Sequence, residues 1–222
     1  PSVVGTTKPR RPLKVAVQPI IMERQRFIGT SVRMHRSRRA ALLVFVCVPL
    51  TVGAQQFQWA AVYNDPGLNV RNLAVGPDGA AYLAGQFSLS VDMDPGAGDH
   101  TLDSHGGLDA FLTRFESTGE WAWTARIGGM TDDVATAVEV DPNGNVVVVG
   151  SFSGTADLDP GPALVQHASA GSDDVFVVKL DPSGNLIWVR TLAAPSQQLA
   201  TAVATNPQGN VWIGGSMFGT AD

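Results

Sequence analysis

The sequence predicts an all-β protein built from one repeated unit, and three observations support this class. A glycine-led motif, GSFSGTADLDPG from Gly150, recurs in related form from Gly85 and from Gly215, so its successive copies are evenly spaced with a 65-residue period. Turn glycines at positions 79, 119, 144, 184 and 209 alternate between a longer and a shorter spacing, which gives each unit two hairpins and four strands. The apolar runs are short and rich in β-branched residues, without the helical periodicity of an amphipathic helix.

Repeated four-stranded antiparallel units joined by tight turns are typical of a β-propeller, in which each unit forms one blade. The repeats end near positions 92, 157 and 222, so about two and a half blades are expected within residues 55–222. We expect the first blade to lack the strand equivalent to residues 110–115. Further repeats would then complete the ring, because an incomplete propeller exposes open strand edges.

The part of the chain that precedes Gln55 is expected to lie outside the propeller. Residues 1–33 show no periodicity and are interpreted as unstructured or as the product of an over-extended reading frame. Residues 34–54 have the basic start, the apolar run and the small residues before Ala54 that are typical of a signal peptide. The apolar run, residues 40–52, is too short for a membrane span, which needs about 20 residues. We therefore expect cleavage near Ala54 and a secreted or cell-surface protein without a membrane span.

Charge and cysteine content restrict the classes of partner and the chemistry that are expected of the mature protein. Residues 55–222 carry five basic and 19 acidic side chains, a net charge of −14, which argues against a nucleic-acid partner. The chain has one cysteine, Cys47, and it lies within the predicted signal peptide, so the mature protein is expected to have no thiol or disulfide chemistry.

Each hairpin is expected to turn at a four-residue sequence that ends in glycine. Asp or Asn accepts a backbone hydrogen bond, Pro fixes φ, and Gly takes the positive-φ position. In the second and third repeats we group the hairpin at 110–127 with that at 136–152, and the hairpin at 175–192 with that at 201–217.

The candidate site is a pair of aspartates in each long insert, Asp92 with Asp94 and Asp157 with Asp159. An Asp-x-Asp sequence puts two carboxylates on one side of an extended segment, and the following Pro-Gly turn can present backbone carbonyls. Such oxygen ligands suit calcium, the one cofactor that the sequence suggests. The alternative is that these aspartates cap turns of their own loops.

Other chemistry-bearing residues are assigned to the surface or to packing. The acidic pairs 132–133 and 173–174 are expected in solvated loops, and His100, His105 and His167 on the surface without a metal-ligand spacing. Trp123 and Trp188 hold the same position in successive repeats and are expected to pack between blades. No catalytic serine motif or phosphate-binding loop is present in the sequence.

Residues 174–188, DVFVVKLDPSGNLIW, and residues 209–215, GNVWIGG, together resemble the SBBP (bacterial seven-bladed β-propeller) repeat family. The resemblance covers residues 57–222, with residues 114–116 (RFE) departing from the Lys-Leu-Asp pattern. It implies an extracellular or surface protein of bacterial type. The insert is similar to versions in exported proteins that carry a type IX sorting domain.

These features favour a non-enzymatic binding or scaffolding module that takes a protein or polysaccharide ligand. The alternative is an exported propeller enzyme (lyase, hydrolase or quinoprotein) with its active residues in blades outside this sequence. Residues 180–188 are similar to the tryptophan-docking repeat of quinone-dependent dehydrogenases, but the 65-residue period fits the SBBP repeat better. The sequence leaves the oligomeric state open.

Overall fold

The computed structural model describes residues 42–48 and 56–218, with side chains from Trp59 onward. Within these ranges the chain forms sixteen strands and no helix, which confirms the all-β class. Accordingly, the described ranges hold no helix with the length and apolarity needed to cross a membrane. The upstream segment 1–33 and the predicted cleavage site after Ala54 lie outside them.

All strand pairings in the described residues are antiparallel. In chain order the strands are β1 (Leu42–Val48), β2 (Gln56–Tyr63), β3 (Leu68–Val75), β4 (Ala81–Phe87), β5 (Ser90–Asp92), β6 (Thr101–Asp103), β7 (Asp109–Phe115), β8 (Trp121–Gly129), β9 (Asp133–Val140), β10 (Val146–Phe152), β11 (Thr155–Asp157), β12 (Gln166–Ala168), β13 (Asp174–Leu180), β14 (Leu186–Leu192), β15 (Gln198–Thr205) and β16 (Val211–Met217).

Two four-stranded units form the centre of the described structure. We name β3, β4, β7 and β8 the first complete blade, and β9, β10, β13 and β14 the second complete blade; the short hairpin β11–β12 extends the sheet of the first complete blade by pairing with β8. The hairpins β1–β2 and β15–β16 lie at the two ends as separate two-stranded sheets. Strands β3, β9 and β15 begin at residues 68, 133 and 198, so the 65-residue period of the sequence is a period of the fold. The arrangement is that of a β-propeller, without a closed ring among the described residues.

Each sheet joins the second hairpin of one predicted unit to the first hairpin of the next. The sheets are therefore shifted by half a period from the units that the sequence predicts. Strand β4 pairs with β7 along its whole length, although a long insert separates them, whereas β8 and β9 belong to different sheets. The grouping of hairpin 110–127 with hairpin 136–152 in one unit is therefore wrong. Only residues 130–132 link β8 to β9, and this short link takes the chain to the next blade. The insert is long enough for β7 to return beside β4.

Strand β1 lies inside the apolar run of the predicted signal peptide and pairs with β2. These two strands occupy the place in the repeat that β7 and β8 hold in the first complete blade. The structure thus has a strand at the position that we expect to be empty in the first blade. Cleavage after Ala54 stays a prediction, because it concerns a processing event.

The glycines of the repeat meet two backbone requirements. The five turn glycines have φ between 81° and 89°, which confirms the turns. The motif glycines Gly85, Gly150 and Gly215 lie where the neighbouring strand bulges, and a Cβ on them would stand 2.0, 1.9 and 2.1 Å from a carbonyl oxygen of that strand. Close backbone approach therefore explains why the motif begins with glycine.

The apolar core consists of three layers, and each lies between successive blades or half-blades. One layer joins the two complete blades, a second joins β2 to the first complete blade, and a third joins the second complete blade to β15–β16. Strand β4 and strand β13 are buried along their whole length, because both faces of a blade are covered by its neighbours. The largest fully buried side chains are Trp59, Tyr82, Phe87, Phe111, Phe115, Phe152 and Phe176.

Candidate functional site

The predicted calcium residues lie in two loops that fold alike. The Oδ1 atom of Asp92 accepts hydrogen bonds from the backbone N–H groups of Asp94 and His100, at 3.2 and 3.1 Å. Asp157 repeats this pattern at 3.2 and 3.0 Å. Asp94 and Asp159 each accept from the glycine that closes the Pro-Gly turn, at 2.7 and 2.8 Å. Each of the four carboxylates therefore has an oxygen that stabilises a turn of its own loop.

The residues that alternate with these aspartates anchor each loop on the preceding blade. Val91, Met93, Ala156 and Leu158 are all fully buried. In the first loop the Tyr63 hydroxyl of β2 donates to the carbonyl of Met93 at 2.8 Å. Burial raises the pKa of Tyr63 above its ordinary value, and the carboxylates of the loop add to this effect. The motif thus joins neighbouring blades, with its apolar side chains inserted and its aspartates shaping the turn.

Calcium binding at these loops stays a prediction. In residues 42–48 and 56–218 no three His, Cys, Asp or Glu side chains gather into a group that could hold a metal ion. Calcium takes six to eight oxygen ligands. An ion at either aspartate pair would draw most of these ligands from loop carbonyls and water.

The histidines of the described residues do not form part of a metal-binding cluster. His100 is exposed and stacks on Trp121, with ring centroids 3.6 Å apart and the planes 16° from parallel. His105 is exposed and His167 half-buried in β12. The expected surface position is therefore confirmed for His100 and His105, and the ring of His100 also fixes the first insert against β8.

Tryptophans of successive blades make the same contact with the next blade. Trp59 donates its indole N–H to the carbonyl of Ser117 at 3.2 Å, and Trp123 donates to the carbonyl of Pro182 at 3.1 Å. Each ring lies against a turn glycine, where a Cβ would stand 2.7 Å from Trp59 and 3.3 Å from Trp123. Trp188 packs on the layer between the second complete blade and β15–β16. The packing role predicted for Trp123 and Trp188 is confirmed.

Each complete blade also has one basic side chain paired with a turn aspartate. In the first, Arg114 Nη2 lies 2.9 Å from Asp78 Oδ2, and in the second, Lys179 Nζ lies 2.7 Å from Asp141 Oδ2. Burial disfavours ionisation of Asp141, but Lys179 and the amides of Asn145 outweigh it and hold the pKa of Asp141 below its usual value. Arg114 and Lys179 hold the same position in the repeat, but their partners differ, because Asp141 is the first residue of its turn, Asp78 is the third of its turn, and Arg114 also pairs with Glu116.

The expectation that two acidic pairs lie in solvated loops is wrong for Asp133 and Asp174. Both are fully buried, because they are the first residues of β9 and β13 and not part of the preceding loop. Asp132, by contrast, is exposed. The buried carboxylates accept hydrogen bonds from backbone N–H groups near the links between blades, which compensates part of their desolvation.

A buried charged cluster at the junction of the two complete blades carries no sequence motif. Asp109 of β7 and Asp133 of β9 are fully buried, and Arg126 of β8 has its Nη1 3.9 Å from Asp109 Oδ1. Among the described residues, Asp109 Oδ1, Asp133 Oδ1 and Arg126 Nη1 are the buried side-chain atoms without a hydrogen-bond partner. Burial raises the pKa of Asp133 to about 7 and also raises the pKa of Asp109.

Comparison with known proteins supports a repeat protein of propeller type. The chain is 29% identical over 129 residues to an uncharacterized WD repeat-containing protein, L264, of Acanthamoeba polyphaga mimivirus, a match that spans 54% of this chain and 9% of that protein. It is 33% identical over 125 residues to regulatory protein FlaEY of Caulobacter vibrioides, across 56% of this chain and 12% of that protein. No family model matches the chain.

The fold, the repeat and the WD repeat relative together define the class: the chain is a β-propeller-type repeat protein. The matches cover only about a tenth of each relative's length, so they describe the repeat and not the whole of either protein.

Proposed function

We propose that this chain is part of an exported β-propeller of the SBBP repeat type and acts as a non-catalytic binding or scaffolding module. The likeness of the two complete blades carries this proposal. The insert aspartates and the blade tryptophans make equivalent contacts in successive repeats, and Arg114 and Lys179 each pair with an aspartate of a turn, so these polar atoms serve the fold. The relatives, named as a WD repeat protein and a regulatory protein, are in keeping with a binding role.

The ligand-facing surface that we propose is formed by the first strands of the blades. Strand β9 packs against both β3 and β15. In each of these strands a bulge displaces one residue from the ladder, and these residues are Arg71, Thr136 and Thr201. Arg71 is exposed, and its Nε donates to the buried Gln86 at 2.5 Å. A guanidinium held in this way is suited to a carboxylate-bearing polysaccharide or protein.

Binding and turnover are tested in one experiment on the full chain. The immobilised chain is titrated with a uronic-acid polysaccharide and with a neutral one of equal length, and the same mixtures are assayed for new reducing ends. We expect saturable binding of the uronic-acid polymer without cleavage. The Arg71→Ala variant should bind about tenfold more weakly, the loss expected for one charged hydrogen bond. Arg190→Ala, which removes an exposed arginine of β14, is the matched control.

Three results would contradict the proposal: new reducing ends, no binding to either polymer, or equal weakening by both variants. New reducing ends would favour the alternative of an exported enzyme. Export is tested separately by fusing residues 34–60 to a leaderless alkaline phosphatase in a bacterial host. We expect periplasmic activity that is lost when Leu43→Arg interrupts the apolar run, and an inactive wild-type fusion would contradict export.

A further inference from the structure

The junction between the first and second complete blades brings two buried carboxyl groups together at one glycine. A Cβ on Gly128 would stand 2.2 Å from Asp109 Oδ1 and 2.7 Å from Asp133 Oδ2. Gly128 has φ of 155°, and the absent side chain provides the space into which both carboxyl groups extend. Asp109 belongs to the first complete blade and Asp133 to the second, so the contact spans the junction.

In each of the two carboxyl groups, only one oxygen accepts a hydrogen bond. Asp109 Oδ2 accepts from the N–H of His105, and Asp133 Oδ2 accepts from the N–H of Gly129 at 2.7 Å. The two Oδ1 atoms have no hydrogen-bond partner in the described structure. Arg126 is 3.9 Å from one of them and does not form a hydrogen bond to it. One cation therefore lies beside two buried carboxyl groups, which leaves one negative charge uncompensated when both are ionised.

The equivalent junction in the next repeat contains only one of the two carboxyl groups. Asp174 takes the place of Asp109, but an amide, Gln198, stands where the repeat would place the second aspartate. Its Oε1 accepts from a backbone N–H at 3.1 Å, and its Nε2 donates to a backbone carbonyl at 2.6 Å. The arginine is replaced there by Thr191 and the glycine by Ala193. The junction that lacks the second carboxyl group thus also lacks the arginine that would neutralise it and the glycine that would leave room for it.

We propose that the Asp109–Asp133 pair binds one proton, and that release of this proton weakens the junction between the first and second complete blades. A protonated Asp133 supplies an O–H donor beside carboxyl oxygens that can only accept, and it removes the like-charge contact. The pKa of Asp133, raised by burial to about 7, places the release near neutral pH.

The charged groups around the pair fix the sign of the effect. Arg126 faces it from β8 and His105 from the loop before β7, and both favour ionisation of Asp109. Asp132, just before β9, opposes ionisation of Asp133, as Asp109 does. Since the folded pKa of Asp133 lies above its unfolded value, the stabilisation is complete only below the unfolded pKa, about 4. It is lost progressively as the pH rises from there to about 7, and it changes no further above that pH.

The test measures the Tm of the full chain from about pH 5 to about pH 8.5. We expect the wild-type Tm to fall by about 5 °C between about pH 5 and about pH 7 and to level off above, the shift that a chain of this size shows for a moderate loss of stability. Asp133→Asn, which imitates Gln198, should abolish the fall. Gln198→Glu, which builds the acidic pair at the next junction, should deepen it. His105→Asn removes the nearby imidazole and should leave the fall in place.

The proposal is overturned if the fall persists in Asp133→Asn, if it disappears in His105→Asn, or if Gln198→Glu leaves it unchanged. Hydrogen exchange, expressed as protection relative to the intrinsic rate at each pH, locates the effect, with lower protection expected at the starts of β7 and β9 above neutral pH and unchanged protection in β13. A uniform change in all strands would contradict a junction-specific effect. Recovery of the neutral-pH Tm on adding calcium would assign the pair to a metal ion and refute the proton. None of these results depends on ligand binding.

Discussion

The contact between a blade tryptophan and the turn of the next blade should account for a measurable part of the stability, and the repeat supplies its own control. Trp59 is 2% exposed and Trp123 half-buried, and both donate to a carbonyl in the following blade. Trp188 occupies the same position one repeat later and packs on the layer towards β15–β16, without an indole hydrogen bond to a turn among the described residues. Replacing each tryptophan by alanine therefore separates the packing of the ring from its hydrogen bond to the next blade.

The expected costs follow from burial. Trp59→Ala removes a fully buried ring and should cost about 3–5 kcal/mol of unfolding free energy. Trp123→Ala loses part of that burial together with one hydrogen bond, and about 2 kcal/mol is expected. Trp188→Ala loses packing on the layer towards β15–β16 but no indole hydrogen bond to a following turn among the described residues, and should cost about 1 kcal/mol less than Trp123→Ala. Trp123→Phe keeps the aromatic packing and should lose about 1 kcal/mol through the hydrogen bond alone.

The assay is urea unfolding of the full chain followed by far-ultraviolet circular dichroism, because tryptophan fluorescence changes with the substitutions themselves. The linear dependence of free energy on urea gives each cost, provided that the slope is unchanged among variants. Equal costs for Trp123→Ala and Trp188→Ala would refute the reasoning, since among the described residues only Trp123 of these two donates an indole hydrogen bond to the next blade. A neutral Trp123→Phe would show that the indole hydrogen bond adds no stability.

Three other changes test the bulge, the buried ion pair and the insert loops. Gly150→Ala places a Cβ 1.9 Å from a carbonyl oxygen of β9 and should cost at least about 2 kcal/mol in urea unfolding; a neutral change would contradict the close approach. Lys179→Met leaves Asp141 buried without its cation and should cost about 3 kcal/mol at neutral pH. Because the pKa of Asp141 is lowered, this difference should shrink as the pH falls through that pKa, and a constant difference would argue against the ion pair. If the inserts bind calcium, Asp157→Ala with Asp159→Ala should reduce the calcium-induced rise in Tm, whereas an intact rise would exclude that site.

The sequence predicts the local features of this fold well, because they depend on residues close together in the chain. The positive-φ glycines, such as Gly144, close each turn, and the β-branched run 146–149 forms a buried strand as expected. The grouping of hairpins into sheets is different. It depends on whether a link or an insert returns the chain to the same sheet, and the composition of the two connections does not reveal this.

The same limit applies to the candidate site. The aspartates of the inserts are recognisable from their spacing, and the sequence leaves open whether they cap turns or bind an ion. Burial of Asp133 could not be predicted, because it follows from packing between two blades and because the residue directly before it is exposed. The one sequence signal was the change from aspartate to Gln198 at an otherwise repeated position.

The change from Asp133 to Gln198 between successive copies suggests where functional residues lie in a repeat protein. Positions that keep the same residue type in each copy, such as the motif glycines and the blade tryptophans, meet the needs that every blade shares. A position that differs between copies is not required by the fold of every blade. Its side chain therefore serves a role that is particular to one blade or to one junction between blades. Among the described residues, the exposed Arg71 differs from Thr136 and Thr201 at the bulges of the first strands, and Asp133 differs from Gln198 between blades. In our two proposals, the first difference sets which ligands the surface binds, and the second sets how the stability of one junction between blades depends on pH.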